Sequence, residues 1–101
     1  MDKVVVRQEG DKASVYIIRP ITDDTSDSLK ASLNTLIENS VIHISIDMED
    51  INIVHTPILG VIVFAQRRVQ KAGGSITTLN TSPPLKELFK TFGLDKVLII
   101  K

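Results

Sequence analysis

The chain has 101 residues, enough for one domain with a modest core, because a chain of this size buries roughly 60–70% of its unfolded surface. Its twelve basic and twelve acidic side chains cancel, which argues against a nucleic-acid partner. With no cysteine there are no disulfides or thiolate metal sites.

The opening Met1-Asp2-Lys3 is not built like a signal peptide. The longest near-apolar run, residues 58–65, is too short to span a bilayer. A cytoplasmic protein without direct membrane insertion is expected.

Residues 4–6 are β-branched and predict a first strand, and Gly10-Asp11 a turn. Residues 13–18 alternate, predicting a second strand in a hairpin with the first. Asp23, Asp24, Thr25 and Ser26 form a cluster of helix-cap residues. After them Leu29, Leu33, Leu36 and Ile37 fall at helical spacing, predicting a helix to about Asn39. Residues 43–48 alternate again: Ile44, Ile46 and Met48 share one face, His43, Ser45 and Asp47 the more open one.

Thr56-Pro57 is a helix-start signal, and the second helix is expected over residues 57–72, with threonine as its cap and proline first. Ile58, Ile62, Ala65, Val69 and Ala72 form its core stripe. Leu59 and Val63 lie about 100–140° away on the helical wheel, with Phe64 on the opposite shoulder. Gln66, Arg67, Gln70 and Lys71 cover the outer face. Residues 75–79 predict a fourth strand. Ser82-Pro83-Pro84 opens a third helix with Leu85, Leu88, Phe89 and Phe92 at i, i+3, i+4 and i+7, and Gly93 is its expected stop. Residues 97–100 predict the last strand. The order ββαβαβαβ implies an α/β fold with right-handed crossovers, partly parallel pairing and helices on one side.

Chemistry is sparse. Thr56 reads either as a plain helix cap or as a hydroxyl that takes a phosphate at the positive end of a helix. Leu59 and Val63 are either a partner surface or are covered by the loop after Arg19. His55 is a titratable or metal-binding residue on one reading and a partly exposed polar residue on the other. His43 and Asp47 share a strand face two side chains apart, which is weak for a site. Asp47, Glu49 and Asp50 make one acidic turn and Asp23-Asp24 another. Gly73-Gly74 lacks the lysine and following helix of a phosphate loop and reads as a turn. No metal spacing, catalytic dyad or nucleophile elbow emerges, so neither enzyme, metal nor cofactor is expected.

The element order and several motifs together resemble the STAS domain, the fold of the bacterial anti-sigma factor antagonists. Ile21-Thr-Asp-Asp-Thr25 resembles the family's loop after the second strand, and Ile46-Asp-Met-Glu-Asp-Ile51 its central strand and exit. His55-Thr-Pro-Ile-Leu-Gly60 stands where the family has Asp-Ser-Ser-Gly-Leu-Gly. Gly73-Gly74, Ser82-Pro83, Leu88-Phe89 and Gly93-Leu94 fall in register with later signposts. The resemblance covers nearly the whole chain and implies a single STAS domain over residues 1–101: a mixed four- to five-stranded sheet with helices mainly on one face.

It places the family's phosphorylated serine on Thr56. It implies a non-enzymatic bacterial regulator of transcription, working by partner switching with a serine kinase that doubles as an anti-sigma factor. The resemblance sets the loop and helix end side by side, giving Asp23, Asp24, His55, Thr56, Leu59 and Val63 as the candidate partner surface. Of the motif's residues, His55 stands in place of the aspartate, Pro57 of the second serine and Ile58 of the glycine. The alternative is a constitutive, unphosphorylated STAS subunit that docks on a larger assembly such as a membrane transporter's ATPase. The sequence stops at Lys101, where many members add a C-terminal helix, so a face or edge open to a partner or to self-association is expected.

Overall fold

A computed structural model describes residues 3–49, 51 and 56–101. The elements run β1 (Val4–Glu9), β2 (Lys12–Ile17), α1 (Asp23–Glu38), β3 (His43–Asp47), α2 (Thr56–Lys71), β4 (Ser75–Leu79), α3 (Pro83–Thr91), a 3₁₀ turn (Leu94–Lys96) and β5 (Ile99–Ile100). The five strands lie in sequential order β1-β2-β3-β4-β5. β1 and β2 are the antiparallel hairpin, and the remaining neighbours pair in parallel.

Sequential order has a consequence. Each parallel crossover is right-handed because a right-twisted strand feeding a helix packs back that way. Three such crossovers taken in the same direction put all three helices on the same face. One core cluster joins them: Leu29, Leu33 and Leu36 of α1, Ile58, Ile62, Ala65 and Val69 of α2, and Leu85 and Phe89 of α3 meet Ala13, Val15, Ile17, Ile44, Ile46 and Ile76 of the sheet. The alternation read in residues 43–48 holds, with Ile44, Ile46 and Met48 buried and His43, Ser45 and Asp47 half-buried on the uncovered face.

Several expectations need correction. α1 starts at Asp23, not after Ser26; Thr22 holds the cap position, and its N–H donates to the buried Thr25 hydroxyl at 3.0 Å. Asp23 and Asp24 are therefore exposed first-turn residues, where carboxylates oppose the helix dipole favourably. β1 extends through Glu9, because its register with β2 continues beyond the valines. β5 is only two residues, since Val97 and Leu98 follow the 3₁₀ turn and their N–H groups donate to the Leu94 carbonyl.

Gly93 and Gly74 are constrained in different ways. Gly93 follows the C-cap of α3 at φ 72°, a left-handed conformation that stops the helix as expected. At Gly74 a Cβ would run into the carbonyl and side chain of Ile42, so the turn from α2 into β4 closes only without one.

Candidate functional site

The site is built where the central strands end. Asp47, the last residue of β3, accepts on Oδ1 from the Glu49 N–H at 2.9 Å and from Asn80 Nδ2 at 3.2 Å. The Met48 N–H donates to the Leu79 carbonyl at 2.8 Å and the Ile51 N–H to the Met48 carbonyl at 3.0 Å. These bonds pin the exit of β3 to the end of β4 and bury Met48 and Ile51. The carboxyl ends of parallel strands are where open α/β sheets place their sites.

α2 is described from Thr56, with Pro57 in its first turn, and the expected cap and helix start adjoin residues 52–55, which lie outside the described residues. Proline is tolerated there because the first-turn N–H groups have no intrahelical partner. His55 lies outside the described residues, as does Asp50 of the acidic turn. Thr56 is exposed at the positive end of the helix, and the first turn carries no acidic side chain.

Thr56, Leu59 and Val63 come together. They line one side of a groove of about 540 Å³ with Gly60, Phe64 and Arg67, and Leu88, Phe92 and Leu94 form its other wall. The lining is mostly apolar, and Arg67 is its one charged side chain. The loop after Arg19 is not among the residues lining this groove. It closes on Pro57 and Ile58 instead, where Ile21, Thr22, Asp23 and Ser26 complete a separate cleft of about 200 Å³. Asp23 therefore reaches the start of α2 at a second cleft, and Asp24 lines neither.

Sequence reasoning missed the aromatic part of the groove. Phe92 shares the helical spacing of Leu85 and Phe89, but it is 62% exposed while Phe89, three residues earlier, is fully buried. Phe92 is the C-cap of α3, its N–H still donating to the Leu88 carbonyl at 3.2 Å, and its side chain lines the open groove beside α2. Phe64 is 57% exposed between this groove and a smaller hollow against α1, lined by Leu33 and Asn34. Two other readings of α2 also change. Gln66, assigned to the outer face, is buried with no partner for its Oε1, and Ala72, assigned to the core stripe, is exposed beyond the helix end. The signal for Phe92 was available in its position directly before the Gly93 stop.

The remaining polar candidates are occupied locally. His43 Nδ1 lies 3.5 Å from Ser75 Oγ, and Asp47 is taken up by the strand exit, so the two form no dyad. Among the described residues no three His, Asp or Glu side chains gather as a metal cluster, and no helix is long and apolar enough to cross a membrane.

Known proteins share this fold. The chain superimposes on the Thermotoga maritima protein TM1081 with a TM-score of 0.85 at 14% identity, over 96% of this chain and 84% of that one. It matches the anti-sigma factor antagonist SpoIIAA in its unphosphorylated form with a TM-score of 0.81 at 15% identity, over 97% and 86% of the two chains. An anti-sigma factor antagonist from Mycobacterium paratuberculosis matches with a TM-score of 0.77 at 16% identity, over 96% and 82%. At such identities these likenesses establish the fold. The STAS domain family model matches residues 3–101, nearly the whole length, and on that match the chain belongs to the STAS domain family.

Proposed function

We propose that the chain is a non-enzymatic binding module of the anti-sigma factor antagonist type, docking a serine kinase/anti-sigma factor at the start of α2 and controlled by phosphate on Thr56. The observation that carries this reading is the position of Thr56: an exposed hydroxyl on the rim of an apolar groove, at the first turn of a helix.

The physics separates the two states. A neutral hydroxyl beside Leu59, Val63 and Phe92 allows a partner's apolar side chains to fill the groove. A phosphoryl group adds about −1.5 to −2 charges, whose desolvation under such a partner is costly. In the free protein the same charge sits at the positive end of α2 and is tolerated. Modification would thus move the binding equilibrium and leave the fold in place. SpoIIAA, to which the chain is similar, has been solved in both phosphorylated and unphosphorylated forms, which fits a module of this kind.

The test is incubation with a purified cognate serine kinase and ATP, followed by mass spectrometry and a binding titration. Phosphate is expected on Thr56, with weaker binding afterwards. Thr56→Ala should preserve binding and Thr56→Glu weaken it in part, because glutamate has one charge and two oxygens. An unmodified Thr56, with tight kinase-independent binding to a transporter ATPase, would favour the constitutive subunit instead.

A further inference from the structure

The two edges of the sheet are unlike. β5 is two residues long, which gives another strand little to pair with. β1 is six residues long, Val-Val-Val-Arg-Gln-Glu, without proline or bulge, and it is paired on one side only. Val5 and Val6 are 43% and 38% exposed, although they point to opposite faces of the sheet. A long edge of this kind is a template for a further strand.

Hydrogen-bond parity fixes which groups it offers. The Ile18 N–H donates to the Lys3 carbonyl at 3.0 Å, so Lys3 and every second residue after it, Val5, Arg7 and Glu9, turn their backbone groups toward β2. Val4, Val6 and Gln8 turn theirs to the open edge. We infer that this edge binds a second copy of the chain, β1 against β1 in antiparallel about a two-fold axis at Val6, making a continuous ten-stranded sheet.

The register follows from the side chains. With Val6 opposite Val6 of the second copy, Val4 faces Gln8, so all three outward residues form hydrogen-bonded pairs. Lys3 then stands opposite Glu9 twice over, in non-hydrogen-bonded pairs where side chains come closest. A slip of one residue sets outward groups against inward ones and breaks the ladder. A slip of two sets Lys3 opposite Arg7 in one direction, and Arg7 opposite Arg7 in the other. Only the Val6-centred register joins full bonding to opposite charges, and a two-fold contact of this kind closes at a dimer. β1 lies at the far edge of the sheet from β5, so the groove between α2 and α3 stays open in the dimer.

Sedimentation velocity on the full chain, up to about 1 mM, should show a concentration-dependent dimer. In the dimer, hydrogen exchange should slow at the amides of Val4, Val6 and Gln8 relative to dilute protein. Val6→Pro removes an outward donor that β2 does not use, and should leave a folded monomer by circular dichroism. Lys3→Glu should weaken dimerisation about tenfold, and adding Glu9→Lys should restore it. A chain monomeric throughout overturns the inference. So does a Val6→Pro variant that dimerises like the parent, failure of the double reversal to restore pairing, or a dimer broken by Phe92→Glu instead.

Discussion

Phe89 and Phe92 sit three residues apart at the end of α3, and replacing each by alanine should give very different results. Phe89 is fully buried, and removing a buried phenylalanine costs about 3–5 kcal/mol through lost transfer energy and the cavity left behind. Phe92 is 62% exposed. Taking roughly 150 Å² for its side chain, its buried part of about 60 Å² is worth at most ~1.5 kcal/mol to folding at 25 cal/mol/Å². The exposed part, about 90 Å², is available to a partner and would contribute ~2 kcal/mol on full burial, roughly thirtyfold in Kd. Urea titration reads the first quantity, and a binding titration against the purified serine kinase the second. Phe89→Ala should lose most of the stability of a domain this small. Phe92→Ala should lose little stability but most of its binding. Equal destabilisation by the two variants would refute the assignment of Phe92 to the surface, and unchanged binding by a folded Phe92→Ala would refute the groove as the docking site.

The other predictions concern burial, space and charge. Gln66 is buried with its Oε1 unpaired, so Gln66→Met should be neutral or stabilising by up to about 1–2 kcal/mol in urea, and a clear loss would show that the amide has a partner. Gly60→Ala adds a methyl into open space on α2 and should stabilise by about 0.5–1 kcal/mol; Gly74→Ala meets the Ile42 carbonyl and should destabilise by about 1–3 kcal/mol or more. Thr56→Glu should leave the thermal midpoint level or slightly raised, because a first-turn carboxylate gains about 0.3–1 kcal/mol from the helix dipole. Its effect on binding should persist at about 1 M salt, where the Debye length is about 3 Å, if desolvation in the groove is the cause. An effect erased by salt would point to long-range repulsion instead.

Much of the architecture was legible because periodicity reports burial directly. Ile44, Ile46 and Met48 alternate in the sequence and are buried, and Ile58, Ile62, Ala65 and Val69 recur at helical spacing and form the core stripe of α2. Element ends were less legible, because they depend on capping competition. Thr22 rather than the Asp23–Ser26 cluster holds the start of α1, and the Leu94–Lys96 turn shortened the expected last strand. Position on the helical wheel failed at Ala72, which lies past the end of α2, and at Phe92, the C-cap of α3, which faces the groove instead of the core. Gln66 failed for a different reason. Its polarity suggested solvent, whereas its place next to Ile62 and Val69 on the wheel puts it at the margin of the core. Thr56, Leu59 and Val63 were grouped correctly as neighbours, but the wall opposite them comes from α3, about thirty residues later, which local spacing does not reveal.

Both candidate surfaces follow from topology more than from any local motif. Adding strands in sequence order with crossovers of one hand stacks α1, α2 and α3 over one face, each helix resting on the sheet by a single stripe. α2 runs sixteen residues and α3 only nine, so the outer shoulder of α2 extends beside a shorter neighbour, and the difference is taken up by Phe92, Gly93 and Leu94 rather than by more helix. That mismatch leaves the apolar groove next to Thr56. At the other edge β1 is joined by a hairpin, not a crossover, and α1 reaches over its start, where Val4 packs against the core. Val6, two residues on, is well exposed although it lies on the same helix-bearing face, alongside buried Val15. A fold that covers its sheet from one direction leaves the outer side of its first strand open at one edge and an uneven pair of helices at the other. In this chain β-branched residues occupy the first position and aromatic residues the second.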